Sequence, residues 1–289
     1  MASPLPAIRC RPIVPGDFTP VAALLAKGFR SRTREFWQSA LDRLAQRQPP
    51  PGLPRFGYLL EVDGVAVGVI LVICAALPQD DTLVPRCNVS SWYVEPAFRA
   101  YAPLLAAHAL RHKELTYLNV SAAPHTWPII EALGFARYTD GIFVCLPGLK
   151  DLFGGEPATI YEAGERTPTA GLCERDMLAS HAALGCISLW CEADGRAYPF
   201  IFRPRLMKRI VPCAQLIYCR DLADFARFAG PLGRRLARRG VPLVVVDSDG
   251  PIAGVPGLFL RGSKPRYFRG PQRPRPGDLA YTEYAVFGV

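Results

Sequence analysis

The stretch that most constrains this chain is Cys87 to Lys113, which reads as strand, turn and helix: CNVSSWYV, EPAFRAYA, then PLLAAHALRHK. The first piece is apolar and hydroxylic enough for a buried strand, and Pro96 stops it. Pro103 suits the first turn of a helix, where a missing N–H is no loss, and Leu104, Leu105 and Ala109 share one face. Arg111, His112 and Lys113 fall at the far end, where the helix dipole favours cations. The turn between is expected to present several free backbone N–H groups at a helix N-terminus, a geometry that binds phosphate, with Arg99 adding a charge.

Arg99-Ala100-Tyr101-Ala102-Pro103-Leu104 resembles the Arg/Gln-x-x-Gly-x-Gly/Ala loop of the GNAT superfamily of N-acyltransferases. The arginine and the spacing match, while Ala102 and Leu104 replace the two small positions. At a position of positive φ, an alanine such as Ala102 costs about 1 kcal/mol. Downstream, Leu115 to Phe135 is similar to the family's Asn-x-x-Ala, helix, Gly-Phe pattern, with Asn119, Ala122, Gly134 and Phe135 in place. The resemblance implies that the loop grips the pyrophosphate of acetyl-CoA or another acyl-CoA. It further implies that a backbone N–H of the central strand, near Val94, polarises the acyl carbonyl. Trp92, Val94, Arg99, Ala100, Tyr101, Ala102, Pro103, Leu104 and Asn119 are then the expected cofactor-binding residues. Four residues before the glycine, where the family often carries a tyrosine as general acid, this chain has Ile130.

Acyl transfer from a thioester needs a polarised carbonyl, a deprotonated amine and a protonated thiolate. Glu95, directly after the strand, is the candidate base, with loop decoration as its plainer reading. Ser121, His125 and Tyr101 are candidates for the acid. An imidazole such as that of His125 transfers protons near neutral pH, although a histidine in a Pro-rich turn is more often a cap or surface group.

With 289 residues the chain is long for one domain and comfortable for two. Half the residues are hydrophobic and a fifth are charged, the signature of a globular protein. The best apolar run, Val65 to Leu77, falls short of the roughly 18 residues of a membrane span. The N-terminal MASPLPAIRCRP has neither an apolar leader core nor transit-peptide character, so a cytoplasmic address is expected. Nine cysteines without a CxxC speak against zinc and a disulfide scaffold, and no metal is expected. Cys74, Cys87, Cys145, Cys186, Cys191, Cys213 and Cys219 lie in apolar runs, as small hydrophobes do. The net charge of +9 divides evenly between the halves, so nucleic acid is not the first reading.

In chain order, residues 8–15 are expected as a strand, and Asp17 with Thr19-Pro20 as the cap of a helix over 21–29. A second amphipathic helix runs over 36–44, with Arg30, Arg32 and Arg34 between the two. In the GNAT proteins two such helices wall the acceptor site. Residues 58–62 and 65–75 form a hairpin about Asp63-Gly64, and 78–85 is a polar connection. A further hairpin is expected about Asp140-Gly141. Residues 151–171 read as a linker with some strand content. The remainder repeats the first half: a helix over 173–185, strands about Asp194-Gly195, then strand, helix and strand over 214–246. Arg227 to Gly233 superficially fits the phosphate-loop pattern, but apolar residues at helical spacing run through it and favour a Pro-kinked helix. The cation-rich stretch Arg261 to Arg275 reads as a loop, either solvated or a lid over an anionic ligand, and Leu279 to Val286 as a strand.

The expected fold class is α/β: a mixed, mainly antiparallel GNAT sheet flanked by helices and duplicated as lobes 1–150 and 172–289. The expected function is acyl transfer from acyl-CoA to a primary amine of a small acceptor, anionic amines included. The alternatives are an acyl-CoA-binding module without turnover and a partner protein that uses its basic tail.

Overall fold

The structure is a computed structural model that describes residues 7–79, 82–153, 156–166, 168, 172–208 and 210–288. It divides into two compact units. The first takes the described residues up to Ala76 and Pro85–Asn119, and the second takes Leu77–Val84 and the chain from Val120 onward. No described helix is long and apolar enough to cross a membrane.

The first unit contains β1 (Ile8–Pro12), α1 (Phe18–Gly28), α2 (Arg34–Ala45) and β2 (Gly57–Val62). It also holds most of β3 (Val65–Gln79) and β4 (Thr82–Val94), then α3 (Ala102–Ala109) and β5 (Thr116–Asn119). The strand order is β1-β2-β3-β4-β5. β2 pairs antiparallel with β1 and β3, and β4 pairs parallel with β5. Asp63 (φ 51°) and Gly64 (φ 77°) are both left-handed, the conformation a two-residue hairpin turn demands and Asp-Gly supplies. Val21, Leu25, Leu41 and Leu44 are buried, so the 3.6-residue spacing of α1 and α2 faces the core.

Asp17 does not cap α1 with its side chain. Its carboxylate accepts from the Arg11 guanidinium at 2.7 and 2.8 Å and from the Val14 N–H at 2.8 Å, and Arg11 also reaches Glu61 at 2.6 Å. The hydrogen bonds from Arg11 hold the Asp17 carboxyl below the usual carboxylate range. β3 and β4 absorb the described part of the expected polar connection at 78–85, whose residues 80 and 81 lie outside the described residues. α3 ends at Ala109, so Arg111, His112 and Lys113 lie beyond the helix and not in its last turn.

The second unit contains α4 (Trp127–Ala132), β6 (Ala136–Cys145), β7 (Thr159–Glu162), α5 (Leu172–Ala183), β8 (Ile187–Ala193), β9 (Arg196–Met207) and β10 (Val211–Cys219). α6 (Leu222–Arg227), α7 (Ala229–Ala237), β11 (Leu243–Ser248), β12 (Gly257–Arg269) and α8 (Glu283–Val286) complete it. Its strand order is β12-β6-β11-β10-β9-β8-β7. β10–β11 is parallel, while β7–β8, β8–β9, β9–β10, β6–β11 and β6–β12 are antiparallel. The mixed, mainly antiparallel sheet with flanking helices is therefore as expected. Phe200, Phe202, Leu216, Val244 and Val246 pack with Phe225 of α6, Phe228 between the helices, and Leu232 and Leu236 of α7 to form the core.

The second half repeats the pairings of the first. Asp194 (φ 51°) and Gly195 (φ 69°) reproduce the first hairpin turn. The three parallel pairs 86/116, 87/117 and 88/118 recur as 213/243, 214/244 and 215/245, and 213−86 and 243−116 both give 127. β6, which closes the first repeat in chain order, pairs in the second unit with both β11 and β12.

Three expectations do not hold in the structure, and the helical reading of Arg227 to Gly233 does. Asp140-Gly141 is no turn: Gly141 sits mid-strand in β6, where a Cβ would collide with the Leu260 carbonyl of β12. Gly141→Val is accordingly expected to cost about 1–3 kcal/mol, read as a lower urea midpoint at unchanged m-value. Residues 261–269 belong to β12 and not to a loop. Residues 279–286 form a bonded segment and the short α8, and not a strand. Arg227 to Gly233 runs from α6 into α7 through Phe228 (φ −99°, ψ 16°). Gly233 there admits the Gly148 backbone and Gly230 the Asp151 carboxylate, so these glycines serve close packing. The described part of the expected linker carries β7 and a 3-10 turn at Pro147–Phe153, and its residues 154, 155, 167 and 169–171 lie outside the described residues.

Candidate functional site

In the first unit, Cys87, Asn88, Val89 and Ser90 of β4 are all buried, as befits a strand covered on both faces. Parallel pairing with β5 covers only Arg86↔Thr116, Cys87↔Tyr117 and Asn88↔Leu118. β4 continues to Val94, and within that extension Ser91 adopts φ 50°. A non-glycine residue with positive φ inside a strand is strained and bends it, as a β-bulge does, and such strain collects at functional sites. The parallel pairing ends three residues before Ser91, as β5 runs out at Asn119. The Ser90 and Ser91 hydroxyls meet at 3.0 Å. The Tyr93 ring fills the space a side chain at Gly28 would need, which brings the end of α1 against β4. Trp92 is half-buried, and its Nε1 is buried with no hydrogen-bond partner among the described residues.

Val94 is buried, and the Glu95 N–H donates to the Val67 carbonyl at 2.9 Å, anchoring the end of the strand. The Glu95 carboxylate accepts from Lys27 Nζ of α1 at 2.7 Å. The candidate base is thus already engaged as an ion-pair partner.

The turn differs from the expected open loop. Pro96–Tyr101 is a 3-10 helix that runs into α3, in which the Phe98 N–H donates to the Glu95 carbonyl and the Ala102 N–H to the Arg99 carbonyl. Pro96 and Pro103 have no N–H to offer, so fewer amides remain for an anion than the sequence suggests. Ala102 has φ −54°, so the expected strain of alanine at positive φ does not arise. Arg99, Ala100 and Pro103 are exposed, while Tyr101, Ala102, Leu104 and Asn119 are half-buried. Arg99 has no hydrogen-bond or ion-pair partner among the described residues.

Ser121 and His125 belong to the second unit. The Ser121 hydroxyl donates to Glu283 Oε1 at 2.5 Å. His125 is exposed in the 3-10 turn Pro124–Thr126. α4 ends at Gly134 (φ 84°) with Phe135 buried, so the Gly-Phe stop works as its chemistry requires. Ile130 is buried.

Sequence reasoning missed a buried polar group in the second unit. Arg266 of β12 is 1% exposed, and its guanidinium forms two hydrogen bonds, 2.8 and 2.9 Å, with Asp247, itself 2% exposed. Arg266 also donates to the Tyr284 hydroxyl at 3.1 Å and to the Val120 carbonyl, and Gln215 approaches Asp247 at 3.5 Å. The density of cations around Arg266 concealed it, because nothing local distinguishes a buried arginine from its solvated neighbours.

No protein-family model and no curated protein matches the chain. Solved structures do. A putative acetyltransferase from Pyrococcus horikoshii aligns with TM-score 0.60 at 13% identity over 96% of this chain and 95% of its own. A GCN5-related N-acetyltransferase from Anabaena variabilis aligns with TM-score 0.61 at 9% identity, covering 91% of this chain and 72% of its own. One from Kribbella flavida aligns with TM-score 0.54 at 12% identity, covering 91% and 71%.

Proposed function

We propose that this chain, whose fold is that of the GCN5-related N-acetyltransferases, transfers an acetyl or short acyl group from acyl-CoA to a primary amine of a small anionic acceptor. The observation that carries the reading is the short β4–β5 register followed by the bend at Ser91. A strand that leaves its parallel neighbour frees backbone N–H and C=O groups along its departing edge, and such amides can polarise a thioester carbonyl. The exposed, unengaged Arg99 beside the start of α3 suits an anionic diphosphate. The 3-10 turn shifts the burden of binding from amides toward this guanidinium. In the reaction the amine nitrogen attacks the carbonyl, a C–N bond forms, the C–S bond breaks, and the departing thiolate takes a proton. Solvent supplies that proton. Glu95, paired with Lys27, holds the strand end, and water removes the amine proton once the reactants are aligned.

The acceptor class follows from the segment between α1 and α2. Gly28 packs on Tyr93 two residues beyond the bend, and Arg30, Arg32 and Arg34 follow directly. Arg30 and Arg34 are exposed, and the Arg32 guanidinium lies 4.6 Å from the centroid of Phe36. Turnover with acetyl-CoA is expected by mass spectrometry for glutamate-like or phosphorylated amines and not for polyamines. The double variant Arg30→Glu/Arg34→Glu is expected to raise KM for such amines about tenfold while leaving KM for acetyl-CoA unchanged. Equal KM values for wild type and variant would remove the anionic assignment, and acyl-CoA binding without turnover on any amine would remove catalysis.

A further inference from the structure

We infer that the second unit keeps the gap between β10 and β11 filled with this chain's own residues 277–287, so that the protein holds one acyl-CoA and not two. The count of one rests on the function proposed above, whereas the filled gap does not.

β10 and β11 repeat the arrangement of β4 and β5. Their parallel pairing stops after Gln215↔Val245, and the register of β10 against β9 shifts between Leu216 and Tyr218. Beyond that shift the C-terminal segment binds β10 as a strand would. The Leu279 N–H donates to the Ile217 carbonyl at 2.7 Å, the Cys219 N–H donates to the Gly277 carbonyl at 3.0 Å, and Tyr218 bridges Asp278 in antiparallel sense. Gly277 (φ 79°) is needed there, since a Cβ would lie 2.8 Å from Cys219 Sγ. The rest of the segment is fastened equally well. Leu279, Ala280, Ala285 and Val286 are at most 1% exposed, and the Tyr281 N–H donates to His181 Nε2 of α5 at 3.1 Å. A segment so deeply buried is part of the core and is not a flap in exchange with solvent.

The turn after β10 is also chemically wrong for a diphosphate. Asp221 caps α6 through the Ala223 N–H at 2.9 Å, and Asp224 follows, so carboxylates stand at the helix start that an anion would need. The neighbouring cations are engaged: Arg220 with Glu174 at 2.6 and 2.8 Å, and Arg227 with Glu156 and Asp194, each at 2.5 Å. Arg275 lies 5.1 Å from the Tyr218 ring.

The test is amide hydrogen exchange on the full chain, with and without acetyl-CoA, together with a calorimetric titration. The expected result is exchange at Cys219 and Leu279 as slow as in the core and unchanged by acetyl-CoA, with one equivalent bound and new protection confined to residues 89–104. Fast exchange at Cys219 and Leu279, or two equivalents with new protection at 217–227, would overturn the inference. Slow exchange there with no acetyl-CoA bound would support the filled gap and overturn the proposed function instead.

Discussion

Arg266→Met is expected to remove about 3–5 kcal/mol of stability, the range for breaking a buried ion pair on one side. Burial disfavours the Arg266 charge, but Asp247 overcomes it, and the guanidinium stays firmly protonated. Once the arginine is gone, Asp247 is left 2% exposed in the β-sheet with Gln215, at 3.5 Å, as its remaining side-chain hydrogen-bond partner among the described residues, and the Val120 carbonyl and Tyr284 hydroxyl lose a donor. For a domain stabilised by ~5–15 kcal/mol, this is a large share. Urea unfolding of the single variants and of Arg266→Met/Asp247→Leu checks the claim. The double variant is expected to regain most of the loss, because two buried apolar groups replace two buried charges without leaving one unpaired. A single-variant loss below about 1 kcal/mol is the cost expected of a solvated pair, and would mean that the two side chains meet in water.

Arg99→Glu is expected to weaken acetyl-CoA binding about 10- to 100-fold. A charge-assisted hydrogen bond contributes ~1.5–3 kcal/mol, and the new carboxylate adds repulsion at low salt. Arg99 is exposed and unengaged, so the thermal midpoint is expected to hold while the dissociation constant rises. Lys113→Glu supplies the control, since it makes the same change in net charge at an exposed site beyond the end of α3. Equal losses for the two variants would reduce the role of Arg99 to a general field effect, and no loss for either would take the diphosphate away from this turn. The 3-10 geometry makes the test sharper than it would be for an open glycine loop, because fewer amides stand ready to compensate for the missing guanidinium.

What was legible in the sequence follows the range over which each signal acts. Asp63-Gly64 and Asp194-Gly195 are hairpins because two left-handed residues in a row are a local demand met by local chemistry. Gly134-Phe135 closes α4 for the same reason. The strand, turn and helix from Cys87 to Ala109 were readable from proline placement and apolar spacing. The bend at Ser91 was not, since serine advertises no positive φ. The glycines that misled did so because glycine has two uses. Gly141 reads as a turn, and Gly230 and Gly233 superficially fit a phosphate loop inside a helical pattern, yet each is small so that another segment can approach closely, and that segment lies far away in sequence at Leu260, Asp151 or Gly148.

By itself, then, the sequence determined most of the strands and helices, the paired hairpin turns at Asp63-Gly64 and Asp194-Gly195 and the helix stop at Gly134-Phe135, which are written in contacts a few residues long. Only the tertiary structure decided which strands keep company. It buried Arg266 against Asp247, made a strand of a basic segment that reads as loop, carried β6 into the second unit, and laid residues 277–279 along β10. The physical reason is that a charge can be buried, or a strand edge satisfied, only when a particular distant partner arrives to compensate it, and no local property of the chain names that partner.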